Sequence, residues 1–216
     1  MRFTILTLFP KAFDSYLGES IMARAQNNKL IKIEVIDIRN FTQDKHRTAD
    51  SKPYGGGPGM VMRAEPILKA FGAIKKKSKK IRVVITSAAG KQFTNSIARA
   101  YTKKYDHLVI IAGHYEGIDE RVKKILRADE VSIGEYVLTG GELPALVMID
   151  AISRQISGVL GRAESLEEAR FGVGIPAYTR PETLVYQKKK YRIPKELASG
   201  NHAMIEAWRR KHQKKT

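Results

Sequence analysis

Short apolar runs and longer helical patterns alternate along most of the chain. Phe3–Phe9 and Ile31–Asp37 are predicted strands, and in the second of them apolar and polar residues alternate. Ile81–Thr86 and Leu108–Ala112 are continuous apolar runs, which are typical of strands buried on both faces. Val131 marks a further short strand. These strands predict the sheet of a protein that mixes strands and helices.

Helical periodicity fills the gaps between the strands. Because strands and helices alternate, the pattern predicts an α/β fold with a mostly parallel sheet. The predicted helices are Phe13–Asn28, Ala64–Ile74, Phe93–Lys103, Ile118–Leu126, Leu143–Ile156 with Pro144 in its first turn, and a last helix capped by Asn201 that runs to Trp208.

Two segments lack periodicity and divide the chain. Arg39–Pro58 is polar and is predicted to be a long mobile loop, which in a compact domain is usually functional or disordered. Arg162–Gly174 is charged, has few apolar anchors and is predicted to be a linker that is disordered without a partner. We therefore expect a first domain over 1–160, a linker over 161–176 and a small basic domain over 177–216.

Composition narrows the class of partner. The 216 residues carry a formal net charge of +17, which attracts polyanions, so nucleic acid is the leading partner and a generally basic protein is the alternative. The chain has no cysteine, which excludes disulfides and thiolate metal sites and fits a reducing cytoplasm. No apolar run approaches the ~20 residues of a membrane span, and the opening run to Pro10 is predicted to be a strand rather than a secretory signal.

Three glycine-containing segments carry the candidate chemistry: Tyr54–Met62, Ala112–Val122 and Ser132–Pro144. The third is too interrupted by glycine and proline to be regular structure and too apolar to be a solvated loop. A buried loop must still satisfy its backbone N–H and C=O groups. Binding a flat ligand with hydrogen-bonding edges, such as a purine, is a simple way to do so.

These three segments, in this order, resemble the family of bacterial tRNA (guanine-N1)-methyltransferases, and the resemblance runs from Phe3 to about Trp208. The family belongs to the knotted (SPOUT) class of RNA methyltransferases. The resemblance implies a deep trefoil knot, a small and here shortened C-terminal helical domain, and S-adenosyl-L-methionine as methyl donor with Mg²⁺. It also implies a cytoplasmic homodimer whose active site is shared between subunits. The substrate would be the tRNA anticodon arm, methylated at N1 of the guanosine directly 3′ to the anticodon, which is position 37.

The resemblance places the donor between three loops, Thr86–Gly90, Gly113–Gly117 and Ile133–Gly141. In the first loop only Ser87 and Gly90 match the family, and His114 stands where an arginine is usual. We predict no protein metal ligands, because His114 has no partner at metal-binding spacing. The predicted donor contacts are Thr86, Ser87, Ala88, Gly90, Gly113, Tyr115, Glu116, Gly117, Ile133, Gly134, Glu135, Tyr136, Val137, Leu138, Thr139, Gly140, Gly141 and Pro144.

Methylation of guanine N1 requires a base to remove its proton and a cation to stabilise the charge that develops at O6. Arg154 matches the catalytic arginine of the family, and Glu116 matches the acidic residue that faces donor and base. Ala169 stands where the family has its aspartate base. Glu168 or Glu167 serves as base in one reading, Glu116 or water in a second, and in a third catalysis is impaired.

Two further sets of residues match positions that approach RNA. One lies in the first glycine segment and the other near the C-terminus. They are Asp50, Tyr54, Gly55, Gly59, Arg180, Ser199, Asn201 and His202. Two rival functions stay open: a binding protein of the same fold that holds donor and tRNA without turnover, as Ala169 suggests, and a methyltransferase for another nucleotide.

Overall fold

A parallel β-sheet forms the centre of the first part of the chain. A computed structural model describes residues 1–75, 78, 80–161 and 174–213. The chain forms two compact units, 1–160 and 161–216. The strands are β1 (Arg2–Thr7), β2 (Lys32–Asp37), β3 (Asp50–Ser51), β4 (Val61–Met62), β5 (Ile81–Gln92), β6 (His107–Ile111), β7 (Asp129–Ser132), β8 (Thr183–Tyr186) and β9 (Lys189–Arg192).

The main sheet has the order β2-β1-β6-β5-β7 and every neighbouring pair is parallel. An α/β fold with a mostly parallel sheet is thereby confirmed. Every residue of β6 is buried, as its continuous apolar run predicts. Phe3 and Leu108 belong to one apolar cluster, and Leu6 and Val109 belong to a second. Side chains that alternate along β1 and β6 thus supply two cores.

Helices pack on the sheet in the first unit. They are α1 (Asp14–Leu17), α2 (Ser20–Asn27), α3 (Ala64–Ala73), α4 (Asn95–Lys104), α5 (Glu120–Leu126) and α6 (Glu142–Ser153). Within the described ranges no helix is long and apolar enough to cross a bilayer.

The single helix predicted over Phe13–Asn28 is wrong. A 3₁₀ turn over Pro10–Phe13 leads into α1, and the chain breaks before α2 because Glu19 is extended and Ser20 has φ +49°. Gly18 ends α1 at a position where a Cβ would lie 2.9 Å from the Asp14 carbonyl oxygen. Apolar spacing persists through the break, so periodicity alone does not detect it.

Strand β5 is longer than predicted. Thr86 and Lys91 both pair with Val131 of β7, so residues 87–90 leave the ladder and the strand then resumes. The predicted loop Thr86–Gly90 is therefore an excursion within a strand, and it projects from the sheet beside the end of β6.

The long loop predicted over Arg39–Pro58 contains regular structure. Ile38–Phe41 forms a 3₁₀ turn, and β3 pairs with β4 in a short antiparallel ladder. Met62, at the end of β4, is fully buried and bridges to Ile118. This ladder attaches the first glycine segment to the second.

The second unit contains a β-hairpin as well as helices. Strands β8 and β9 pair antiparallel, and they are followed by α7 (Lys195–Ala198) and α8 (His202–Lys211). The domain was predicted to be helical, and the structure adds a hairpin to its helices. Asn201 caps α8 as predicted, because its Oδ1 accepts hydrogen bonds from the N–H groups of Ala203 (3.0 Å) and Met204 (3.2 Å). Trp208 is the one buried residue within 174–213.

Candidate active site

A cavity of about 490 Å³ opens beside the excursion within β5 and the carboxyl ends of β6 and β7. Ligands of open parallel sheets bind at this edge, and the volume lies in the range of small-molecule sites. The walls come from all three predicted donor loops. The predicted donor contacts that line it are Thr86, Ser87, Ala88, Gly113, Tyr115, Glu116, Gly117, Ile133, Tyr136, Val137, Leu138, Thr139, Gly140, Gly141 and Pro144.

The three loops meet at Thr86, Gly113 and Gly141. The N–H of Gly113 donates to Thr86 Oγ1 at 3.1 Å, and the N–H of Gly141 donates to the Gly113 carbonyl at 2.6 Å. A Cβ on Gly141 would overlap Thr86 Oγ1 and lie 2.5 Å from the Gly113 nitrogen. Glycine is required at position 141 because the loops approach this closely. One backbone hydrogen bond and one bond to a threonine hydroxyl thus join the three loops and fix this part of the cavity wall. The third loop is not the buried loop predicted from the sequence, because 135–139 are exposed.

Three predicted donor contacts lie elsewhere. Gly90 is not among the lining residues, and a Cβ there would lie 2.5 Å from the backbone nitrogen of Val131 in β7. Gly134 lies beneath the Tyr136 ring, and Glu135 is exposed outside the lining. Gly90 and Gly134 therefore shape the loops, by allowing close packing, rather than forming the wall.

Apolar side chains of the third loop remain open to the cavity. Tyr136, Val137 and Leu138 line it, and the exposed fractions of Val137 and Leu138 are 84% and 40%. Apolar surface left exposed at a concave site indicates a ligand that would cover it. This apolar surface suits a ligand with a flat apolar ring system.

Glu116 lies where the first glycine segment meets the second. Its N–H donates to the Met60 carbonyl at 3.0 Å, and the Met62 N–H donates to the Gly117 carbonyl at 2.9 Å. Gly59 has φ +80°, and a Cβ there would lie 2.5 Å from Glu116 Cγ. The glycine segment therefore rests directly on the Glu116 side chain. Tyr54, at the other end of the segment, is fully exposed.

A buried acidic residue that the sequence did not single out lies behind the wall. Glu142, the first residue of α6, is 8% exposed and accepts a hydrogen bond from Thr7 Oγ1 at 2.8 Å. The helix N-terminus favours its negative charge. Nδ1 of His114 lies 3.9 Å from Glu142 Oε2, and its ring centroid lies 4.7 Å from those of Phe9 and Tyr115. His114 is thus a wall residue held between aromatic rings.

A charged rim also lines the cavity and was missed. Lys123 Nζ lies 2.5 Å from Glu130 Oε2 and 3.6 Å from Glu120 Oε1, and the hydrogen bond to Glu130 raises the Lys123 pKa. Hydrogen bonds from Arg121 lower the pKa of Asp119. These residues belong to α5, its cap and β7, whose patterns showed only regular structure.

Arg154 is not among the described residues that line the cavity. It directly follows α6, whereas Pro144 lies on the wall at the start of the same helix. Ten helical steps of about 1.5 Å each separate them by about 15 Å. One chain therefore places Glu116 in the cavity without placing its own Arg154 there.

The predicted RNA contacts fall on both units. Asp50, Tyr54, Gly55 and Gly59 lie around the β3–β4 segment, and Arg180 and His202 are exposed in the second unit. Ser199 Oγ donates to the Glu196 carbonyl at 2.8 Å, and the Asn201 side chain caps α8, so both have local structural roles. Glu167, Glu168 and Ala169 lie outside the described residues.

Comparison with known proteins identifies the family. A family model described as tRNA (Guanine-1)-methyltransferase TrmD matches residues 1–216. The chain belongs to this family. A tRNA (guanine-N(1)-)-methyltransferase of Desulforamulus reducens is 47% identical over 98% of this chain and 83% of its own length. Proteins of the same name from Dictyoglomus turgidum and Caldicellulosiruptor saccharolyticus are 48% and 49% identical, over 98% and 97% of this chain and 84% of each relative.

Membership of the TrmD family implies a methyl donor, and the cavity fits one. Where the loops meet at Gly113 and Gly141, backbone groups lie close to the cavity. The exposed side chains of the third loop supply an apolar face. The fit for Mg²⁺ is different: within 1–75, 80–161 and 174–213 no group of three His, Asp or Glu side chains is placed to hold a metal ion. Mg²⁺ therefore stays a prediction.

Proposed function

We propose that this TrmD family member transfers a methyl group from S-adenosyl-L-methionine to N1 of the guanosine directly 3′ to the anticodon of tRNA, in the cytoplasm. The observation that carries the proposal is the cavity built by three interlocked loops, because it joins the predicted donor segments at one sheet edge. The names of the relatives supply the reaction, and the net charge of +17 suits a tRNA substrate.

The donor would lie against the third loop. Ile133, Leu138 and Pro144 would cover the faces of its adenine, and backbone groups of Tyr136 and Leu138 would meet its polar edge. When bound, the sulfonium supplies a methyl group that is already activated for transfer. The protein must then hold guanine N1 in line with the donor's methyl group and remove the N1 proton.

The guanine N1 proton must leave before or during transfer. Glu116 reaches the cavity wall and is one candidate base; Glu168 and Glu167 are the others, since Ala169 cannot accept a proton. A guanidinium near O6 would stabilise the charge that develops there, which is the role of Arg154.

The position of Arg154 supports a homodimer. Because about 15 Å of helix separates it from the cavity of its own chain, a second copy would supply it. Leu143 and Val147, four residues apart on α6, are 61% and 47% exposed. Residues at this spacing share one helix face, so α6 offers an apolar contact surface. We include the trefoil knot, the shared site and tRNA binding by the second unit in the proposal.

The test measures transfer of labelled methyl to a tRNA transcript. In this transcript the last anticodon nucleotide and the nucleotide directly 3′ to the anticodon are both guanosine. The wild type should be active, and Arg154→Ala should lower kcat about 100-fold or more. Loss of activity in one of Glu168→Gln and Glu167→Gln would assign the base to that residue, and full activity in both would leave Glu116 or water as the base.

Ala169 favours a second candidate, a protein that binds donor and tRNA without turnover. Calorimetric donor binding and tRNA binding together with no methyl transfer by the wild type would establish that candidate and would overturn the enzyme.

A further inference from the structure

The hairpin β8–β9 exposes an aromatic and basic surface. It is a two-stranded sheet, and each of its residues except Thr183 is exposed. The turn residues Gln187 and Lys188 have φ +48° and +64°, the backbone that suits a tight two-residue hairpin. An isolated hairpin is marginally stable, and exposed large side chains on it indicate a partner.

The strand register divides the side chains between two faces. Leu184 pairs with Tyr191, and Tyr186 pairs with Lys189, so these four side chains share one face. The exposed fractions are 55% for Leu184, 62% for Tyr186 and 53% for Tyr191. The two tyrosines thus occupy diagonal positions on one face of the hairpin, and both remain open to solvent.

The charge of the hairpin is of one sign. Lys188, Lys189, Lys190 and Arg192 are exposed, and 183–192 contains no acidic residue. Aromatic rings beside clustered cations form the combination that binds unpaired nucleotides, because bases stack on the rings while phosphates meet the cations. A second copy of this hairpin would meet the same positive charge, which disfavours self-association through it.

We infer that the Tyr186–Tyr191 face of the hairpin is a stacking platform for unpaired nucleotides of the tRNA substrate, with Lys188 of the turn and Lys189 on the neighbouring phosphates. This inference rests on the proposed tRNA substrate. It adds a binding site outside the donor cavity and outside the predicted contacts Arg180, Ser199, Asn201 and His202.

The test compares the full-length wild type with Tyr186→Ala/Tyr191→Ala and with the ring-conserving Tyr186→Phe/Tyr191→Phe. Affinity for a tRNA transcript is measured by fluorescence anisotropy, and donor affinity by calorimetry. The alanine pair should weaken tRNA binding about 10-fold or more, whereas the phenylalanine pair should bind like the wild type. Donor affinity should not change, and the KM for tRNA should rise without a change in kcat at saturating tRNA.

A double Lys188→Gln/Lys189→Gln variant tests the phosphate contacts without touching the rings, since Lys188 lies in the turn and Lys189 pairs with Tyr186. It should lower the slope of log affinity against log salt by about 1 to 2, since each lost phosphate contact removes nearly one unit. Val185→Ala, on the opposite face, is the matched control and should bind tRNA normally.

Unchanged tRNA affinity in the alanine pair, or a loss that the phenylalanine pair shares, would overturn the platform. Monomerisation of the alanine pair in light scattering would assign the face to a second copy instead and would also overturn it. Failure of the proposed function is a separate result: a wild type that binds tRNA through these tyrosines yet transfers no methyl group leaves the platform standing.

Discussion

At the scale of single residues, Gly59 is the least replaceable position of the loop that rests on Glu116. Its φ of +80° and the 2.5 Å approach of a Cβ to Glu116 Cγ both require glycine. Gly59→Ala should move the Glu116 carboxylate and lower kcat for methyl transfer about 10- to 100-fold, because small misplacements of a catalytic group are costly. Single-turnover methylation of a tRNA transcript measures this effect.

Gly56→Ala is the control that distinguishes contact with Glu116 from backbone strain at a positive φ. Gly56 has φ +78°, nearly that of Gly59, yet a Cβ there would meet nothing within 4 Å. We expect it to retain most of the wild-type kcat. Equal losses in the two variants would show that strain in the loop, and not contact with Glu116, limits the reaction.

The sequence predicted most residues that line the cavity, but not the contacts that hold them in place. The apolar runs and glycine segments predicted the sheet edge and most of the lining, since each is a local pattern. The contact of Gly59 with Glu116 and the burial of Glu142 beside Thr7 join residues that are far apart along the chain. Patterns of local spacing carry no information about such pairs.

At the scale of elements, helix α6 links the cavity of one subunit to that of the proposed partner. Glu116→Gln and Arg154→Ala should each abolish most methyl transfer when purified alone. If the site combines the two residues from different chains, a heterodimer of the two variants contains one intact site. Co-expressed and co-purified, the pair should recover up to about half of the wild-type activity per dimer, by methyl-transfer assay.

The control pairs Glu116→Gln with the double variant Glu116→Gln/Arg154→Ala. No chain in that dimer carries Glu116, so activity should stay at background. If the first heterodimer also stays at background, both residues act within one chain and the shared site is wrong.

Elements differed in how far local pattern could identify them. Strand β6 was predicted because burial on both faces demands an uninterrupted apolar run. The hairpin β8–β9 was missed because its lysines and exposed tyrosines resemble a solvated tail, and only the cross-strand pairing shows it to be a sheet. The break between α1 and α2 was missed because a backbone change at Glu19 leaves the spacing of apolar side chains intact.

At the scale of the whole molecule, His107 couples stability to pH. It is 2% exposed, its Nε2 lies 2.9 Å from Thr4 Oγ1, and burial followed by the nearby Arg2 lowers its pKa to about 4. Between that value and the ordinary pKa of about 6.5 the unfolded chain binds the extra proton. The free energy of unfolding should therefore fall by about 2 to 3 kcal/mol as pH drops from 6.5 to 4.

Urea unfolding across this pH range measures the effect, with His107→Gln and His46→Gln compared with the wild type. His107→Gln should reduce the fall in the free energy of unfolding between pH 6.5 and 4. His46→Gln should leave that fall unchanged because His46 is exposed. If the free energy of unfolding falls equally with pH in all three proteins, groups other than His107 cause the loss of stability.

The junction of Thr86, Gly113 and Gly141 has a consequence for compounds that bind in the cavity. The wall there is main chain, and a side chain added at Gly141 would collide with Thr86 and Gly113. A compound whose affinity comes from those peptide groups would therefore meet few point mutations that weaken its binding and still leave the cavity formed.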